Sequence, residues 1–391
     1  MIGDKTILDL TCGHQTPFYL YDIPLLEATL ATAKKAMDGR DDFKLHYAVK
    51  ANTCPTILET VRQYGFGADT VSGGEVECAL RAGFPARRIM FAGVGKTDAE
   101  IRLALRKGIG CLNVESVEEL EVVNKIAASM DVTAPVALRI NPDIDAHTHH
   151  YITTGVAENK FGIDISRARR AVDTATAMDH INFRGLHFHI GSQITDLYPY
   201  EVLCTRAIQL VDSLEADGIR CQVVNFGGGL GVDYDNPAQH PVPPFQEYFD
   251  IFKRLTPKVE GRTYHFELGR ALVAQRGSLI TRVLFVKQGL DRRFVIAAAG
   301  MPELIRPALY QALHRIDNIS ANVAERGAAQ PYDIVGPVCE SSDIFATEYP
   351  LPPTQRDDIL AIRSAGAYGE IMASNYNCRT LAPSLFYTEH P

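Results

Sequence analysis

Between Phe43 and Glu267 the chain alternates short β-patterned runs with helix-patterned segments, and this alternation most narrows what it can fold into. The strand candidates are Phe43–Val49, Gly67–Val71, Arg88–Ala92, Gly110–Val114, Pro135–Ile140, Phe183–Ile190, Gln222–Phe226 and Thr263–Glu267. Between them lie helical patterns such as Gly74-Glu-Val-Glu-Cys-Ala-Leu-Arg-Ala82, Asp98-Ala-Glu-Ile-Arg-Leu-Ala-Leu105 and Ser116-Val-Glu-Glu-Leu-Glu-Val-Val123. Ser116 followed by Glu119 reads as a capping box. Eight strands so spaced fit an α/β fold of the closed (β/α)8 barrel type better than an open doubly wound sheet. No G-x-G-x-x-G follows the first strand, so a dinucleotide fold has little support.

The texture changes after about Ala271. Ser278–Val286, Phe294–Ala297, Tyr332–Val335 and Asp358–Arg363 are β-branched runs separated by Gly, Pro and Asp. They predict a C-terminal all-β domain. Phe18–Tyr21 reads as one further strand, and Asp22-Ile-Pro opens a helix running to about Met37. The expected division is therefore a barrel over residues 24–272 and a β-domain made of 1–23 and 273–391.

At 391 residues the chain has ample material for a large core. A net charge of -8 argues against a nucleic-acid partner, and no Lys/Arg run suggests an anionic membrane surface. No apolar run approaches the ~18 residues of a membrane span, and Met1-Ile-Gly-Asp-Lys5 does not resemble a secretion signal. The eight cysteines are scattered without a C-x-x-C pair, which suits reduced thiols in a cytoplasm. His147-Thr-His-His150 lacks a Cys or Glu at ligand spacing and reads as a lid segment, not a metal site.

The informative fact is where the unusual residues fall. Barrels of this kind place their active site at the carboxyl ends of the strands. Lys50 follows the first candidate strand, and Asp69 and Ser72 lie at the end of the second. Arg139 and Asn141 end the fifth, His189 and Ser192 end the sixth, Gly227, Gly228 and Gly229 follow the seventh, and Glu267 and Arg270 close the eighth. Each alone has a structural reading, such as a snorkelling lysine or a tight glycine turn; their joint placement on one rim is harder to attribute to packing. A lysine leaving a buried strand is expected to have a lowered pKa and a nucleophilic amine. Three glycines let backbone N–H groups approach an anion, with Ser192 and Arg270 as further phosphate donors. Glu267 can hold a proton on a ring nitrogen, and His189 can lie against a ring face. Together these describe a site for pyridoxal 5'-phosphate.

Tyr47-Ala-Val-Lys-Ala-Asn52, His187-Phe-His-Ile-Gly-Ser-Gln193, Gly227-Gly-Gly229, Glu267-Leu-Gly-Arg270, Arg306-Pro-Ala-Leu-Tyr310, Gly336-Pro-Val-Cys-Glu-Ser341 and Ser374-Asn-Tyr-Asn377 resemble, in order, the motifs of the barrel-type (fold type III) pyridoxal phosphate-dependent decarboxylases. The resemblance covers nearly the whole chain. It implies a homodimer with active sites shared across the interface. It makes Lys50 the Schiff-base lysine and His189 the residue on the ring face. It adds Gly229, Glu267, Gly269 and Arg270 as cofactor contacts, with Tyr376 touching the phosphate. Cys339 becomes the proton donor, reaching in from the partner with Glu340, and Arg270, Arg306, Tyr310, Glu340 and Tyr376 become substrate contacts.

Arg306 offers a fork for a carboxylate, Tyr310 a hydroxyl and Glu340 a counter-charge for an ammonium. That set suits a diamino acid whose far end carries both a carboxylate and an amine. A decarboxylase of D-lysine, D-ornithine or L-ornithine is the nearest alternative, then an amino-acid racemase or a cofactor-less regulatory relative. Three positions depart from the family pattern: Leu268 where proline is common, Ala298 where aspartate is common, and a tail from Asn377 to Pro383 that lacks the usual arginine–proline run.

Overall fold

The computed structural model describes residues 2–144 and 160–389. His147–His150 thus lie outside the described residues. The chain divides into two compact units: one runs from Leu30 to Gly231 and from Pro244 to Gly269, and the other comprises the residues up to Thr29, Val232–Pro243 and everything from Arg270 onward.

The first unit is a closed parallel barrel. Its strands are Phe43–Ala48, Gly67–Thr70, Ile89–Phe91, Cys111–Val114, Ala134–Asn141, Ile181–His187, Val223–Asn225 and Thr263–Leu268. Each pairs in parallel with the next, and the last returns to the first with Glu267 opposite His46. A two-residue strand, Ile163–Asp164, is appended to the end of the fifth. The period of two along a strand decides which side chains face the centre. On the last strand, Phe266 packs outward on Phe249 and Phe252 of the helix Phe245–Leu255, with ring centroids 5.0 and 4.9 Å away. His265 and Glu267 therefore point inward. Met90, Cys111 and Ala137 form an apolar cluster of their own.

Helix starts follow local chemistry. Asp22 caps the helix Ile23–Ala36 by accepting the Leu25 amide at 2.9 Å. Ser116 caps Val117–Ser129 as expected, accepting the Glu119 amide, but the box is not closed. The Glu119 carboxylate instead accepts the Glu115 amide on one oxygen and pairs with Lys96 at 2.7 Å through the other. The full box belongs to Thr97 and Glu100 at the helix Asp98–Lys107.

The second unit is a mixed eight-stranded sheet. Gly277–Gln288 is its hub, pairing antiparallel with Arg293–Ala297, Ile359–Ile362 and the N-terminal strand Phe18–Asp22. Ser384–Tyr387 pairs in parallel with that N-terminal strand. Phe18, Leu20, Ile280, Ile319, Ile359 and Ala361 share a core with Ile7 of an N-terminal helix, Asp4–Gly13. That helix has Gly3 at its cap and no side-chain hydrogen bond there, so nothing at its start announces it.

Candidate active site

The barrel unit gathers its chemistry where the strands end. Lys50 lies in the 3-10 turn Val49–Ala51 directly after the first strand. Asp69 is buried on the neighbouring strand, in register with Ala48. Burial and the Glu267 charge push the Asp69 carboxyl well above its ordinary range, and the Lys50 ammonium opposes them. Burial raises Glu75 in the same way, against the Val71 amide and the Lys50 charge. Ser72 is spent as the cap of the helix Gly73–Arg81.

Glu267 is buried and surrounded by donors. Its Oε1 accepts from Asn225 Nδ2 at 2.6 Å and from Asn113 Nδ2 at 3.3 Å, and its Oε2 accepts from His187 Nε2 at 3.0 Å. Burial alone would push this carboxyl up; the His187 ring and the Asn225 amide outweigh it and hold the group well below the carboxylate range. His46 and His265 stack with centroids 4.8 Å apart and share a hydrogen bond of 3.1 Å. Burial keeps both rings neutral, His46 down to about 4. Glu267 is thus a fixed charge whose nearby rings His46 and His265 are uncharged.

The glycine turn after the seventh strand is built against this carboxylate. A Cβ on Gly228 would sit 1.9 Å from the Glu267 carbonyl oxygen, and Gly227 holds φ +71, so neither position takes a side chain. Asn225 couples turn to charge: its Oδ1 accepts the Gly227 amide at 2.9 Å while its Nδ2 serves Glu267. The Gly228 amide donates to His189 Nδ1 at 3.2 Å. The expectation that all three amides face an anion is thereby corrected. Two serve neighbouring side chains, and among the described residues the Gly229 amide donates to no protein group.

That same bond fixes the His189 tautomer, with Nδ1 accepting and the proton on Nε2. Burial, then the Lys50 and Arg139 charges, holds the His189 ring neutral, which suits a flat apolar wall. Arg139 pairs with buried Glu115 at 2.9 Å and lies 4.8 Å from the Phe161 ring centroid. Glu115 also accepts the Gly93 and Gly162 amides, tying three loop ends to one carboxylate. Ser192 is half-buried, just beyond His189. Gly269 lies against the Lys50 turn, where a Cβ would meet Ala48 and Ala51 at 3.0 Å.

The β-unit holds a second group. Tyr234, in the segment Val232–Pro243, accepts hydrogen bonds on one hydroxyl from Arg270 Nη1 at 2.7 Å and Arg306 Nη1 at 2.9 Å. Arg306 opens the short helix Arg306–Tyr310, with Tyr310 half-buried at its end. The same Arg306 Nη1 donates to His314 Nε2 at 3.0 Å. Cys339, Glu340 and Tyr376 are exposed in the protomer, and the Tyr376 hydroxyl donates to Glu340. Two departures from the family pattern meet here. Arg379 of the tail donates to the Ala298 carbonyl at 2.6 Å and pairs with Glu303 at 3.0 Å.

Sequence reasoning missed Tyr234, His314, His187, Asn225, Asn113 and Glu115. His187 and Asn225 could have been found, since alternation puts both on the inward face with His189 and the glycine turn. Tyr234 and His314 carry no local signal.

The residues present fit pyridoxal phosphate. A buried carboxylate is kept ionised, a neutral imidazole stands beside it, and a glycine turn excludes side chains. A lysine lies among groups that its charge influences. The described residues contain no helix long and apolar enough to cross a membrane. Residues 25–274 match the model of the pyridoxal-dependent decarboxylase family, pyridoxal binding domain. The chain is 53% identical over 367 residues to a diaminopimelate decarboxylase of Bacteroides thetaiotaomicron, covering 94% of each. It is 42% identical to that of Zymomonas mobilis, covering 97% of this chain and 89% of the relative. The crystal structure of diaminopimelate decarboxylase from Helicobacter pylori complexed with L-lysine superposes with TM-score 0.91 at 40% identity, covering 98% of this chain and 94% of that one.

Proposed function

The chain belongs to the diaminopimelate decarboxylases of the pyridoxal-dependent decarboxylase family, and we infer from that premise that it removes CO2 from meso-diaminopimelate and leaves L-lysine. The observation that carries the substrate reading is Arg306. Its guanidinium is buried and, among the described residues, has no carboxylate partner; its acceptors are a phenol and an imidazole. A buried cation so provided calls for an anionic ligand, and the far carboxylate of diaminopimelate is one. Tyr310 and Glu340 then serve that end of the substrate as hydroxyl donor and counter-charge to its ammonium.

Lys50 would hold the cofactor carbonyl through its amine. Asp69, Arg139, Ser192, Gly229, Gly269, Arg270 and Tyr376 would hold the remainder of the cofactor, with Gly227 and Gly228 shaping the turn beside it. Bound pyridoxal phosphate supplies the electron sink for the pair left behind by departing CO2. Glu267 keeps a proton on the ring nitrogen, which its own ionised state permits. His189, neutral, walls one face of the ring without competing for charge. Cys339 delivers a proton to the α-carbon that lost its carboxylate.

The test is CO2 release with meso-diaminopimelate beside D-lysine, D-ornithine and L-ornithine. Diaminopimelate should be strongly preferred. Arg306→Ala should weaken it far more than D-lysine, which has no far carboxylate, by roughly 1.5–3 kcal/mol per charged hydrogen bond lost. Equal losses on both substrates would make Arg306 structural and remove the main support for this substrate.

The exposure of Cys339, Glu340 and Tyr376 supports a homodimer whose partners complete each other's sites, and the biosynthetic activity of the relatives suits a place in the cytoplasm. Mixing Lys50→Ala with Cys339→Ala under subunit exchange should then restore roughly a quarter of wild-type activity, because half the dimers carry one intact site. Exchange shown by a tag without recovery would mean that each chain builds its own site.

A further inference from the structure

Arg306 Nη1 carries two hydrogens, and both are used: one goes to the Tyr234 hydroxyl at 2.9 Å and one to His314 Nε2 at 3.0 Å. Among the described residues its Nε and Nη2 have no protein partner. The side-on edge of the guanidinium, Nε with Nη2, is therefore the fork that remains, and that edge matches a carboxylate in bidentate geometry.

The two acceptors are themselves held. His314 Nδ1 donates to the Arg363 carbonyl at 2.8 Å, which leaves Nε2 as a lone pair. Burial, then the Arg306 charge, pushes its pKa down to about 3, so it stays an acceptor at working pH. The Tyr234 ring meets His314 edge-on with centroids 5.2 Å apart, and its carbonyl accepts the Arg315 amide at 3.2 Å. The hydroxyl cannot drift without breaking those contacts.

Tyr234 also joins two like charges. Arg270 and Arg306 both donate to its single oxygen, and the Arg306 carbon lies 4.9 Å from its ring centroid. Their responses differ. Burial costs both, but Tyr234, Tyr368 and Tyr310 together favour the Arg270 cation, whereas burial and the Arg270 charge together disfavour the Arg306 cation. A guanidinium does not deprotonate in proteins, so the relief for Arg306 is an anion.

We propose that Tyr234 and His314 are positioning residues for substrate specificity. By taking both hydrogens of Arg306 Nη1 they aim its Nε–Nη2 edge at the far carboxylate of the substrate, and Tyr234 ties that fork to Arg270. This rests on the diaminopimelate reading above. It explains how specificity for a carboxylate is built without a counter-ion that would compete for the fork.

The experiment compares two ligands on the holoenzyme by calorimetry: L-lysine, which keeps the far carboxylate, and 1,5-diaminopentane, which lacks it. Wild type should prefer L-lysine. In Tyr234→Phe that preference should fall about 10- to 100-fold, the range for a charged hydrogen bond, while 1,5-diaminopentane binds within about twofold of wild type and so reports an intact fold. A pH series adds a readout that packing alone would not move. The charged groups facing the phenol are Arg270 and Arg306, which outweigh burial and lower its pKa; His314 is neutral. Ionised Tyr234 would cancel part of their charge, so wild-type preference should decline on an alkaline limb below the ordinary tyrosine range, absent in Tyr234→Phe. The inference is overturned if Tyr234→Phe keeps the wild-type preference, loses both ligands alike, or keeps the same limb. A wild type that does not prefer L-lysine would overturn the substrate reading instead.

Discussion

Lys50→Ala should reduce decarboxylation below detection. The reaction needs an amine on the barrel rim that can bind the cofactor carbonyl and give it up again. Lys96, whose side chain is buried, cannot substitute. Lys96 Nζ spends its three hydrogens on the Gly93 and Asn113 carbonyls and the Glu119 carboxylate, at 2.8, 2.8 and 2.7 Å. Lys44 donates to the Asp41 carbonyl at an exposed position. Borohydride treatment of the wild type should fix the cofactor covalently to the peptide carrying Lys50, and treatment of the variant should fix none. A label on any other lysine, or turnover by the variant, would show that the wrong residue has been named.

Lys50 was legible because its evidence is local: a buried strand ends, a turn follows, and the residue at the turn is charged. The eight barrel strands were legible for the same reason, each lying within three residues of its expected bounds, because short β-patterned runs alternate there with helix-patterned segments. Legibility failed where the partner is remote. His187 meets Glu267 across 80 positions and Tyr234 meets Arg306 across 72, and no periodicity spans such distances. It failed too where the signal is weak by nature. Ile344–Leu351 mixes buried, half-buried and exposed residues without a regular alternation and carries Pro350, and Ile316–Asn318 is three residues long. The segment Val232–Pro243 looks like an ordinary barrel loop; it belongs to the β-unit because Tyr234 and the carbonyls of Pro237 and His240 are held there.

Glu267→Gln separates the ring-nitrogen role from simple packing, because it keeps the shape of the side chain and removes its charge. Asn225, Asn113 and His187 all present N–H groups to it. Asn225 cannot turn its oxygen toward a glutamine, since that oxygen already receives the Gly227 amide. The glutamine oxygen must therefore face Asn225 and its NH2 must face His187, whose ring has to move its proton to Nδ1, an atom with no hydrogen-bond partner among the described residues; the charge-assisted bonds are lost at a cost of about 1–3 kcal/mol. Two results should follow. The variant should still bind the cofactor but decarboxylate about 10²–10³-fold more slowly, since a neutral amide does not hold the ring nitrogen protonated. It should also be less stable than wild type at neutral pH, with a gap that narrows in acid. The folded-state pKa of Glu267 lies below its ordinary value of 4.5, so the folded protein binds fewer protons here than the unfolded chain. Its stabilisation is complete above 4.5 and is lost as pH falls toward the folded-state value. Unfolding curves at neutral pH and near pH 3, read beside single-turnover rates, check both. Near-normal turnover with the stability loss intact would make Glu267 a packing residue, and the electron sink would need another partner.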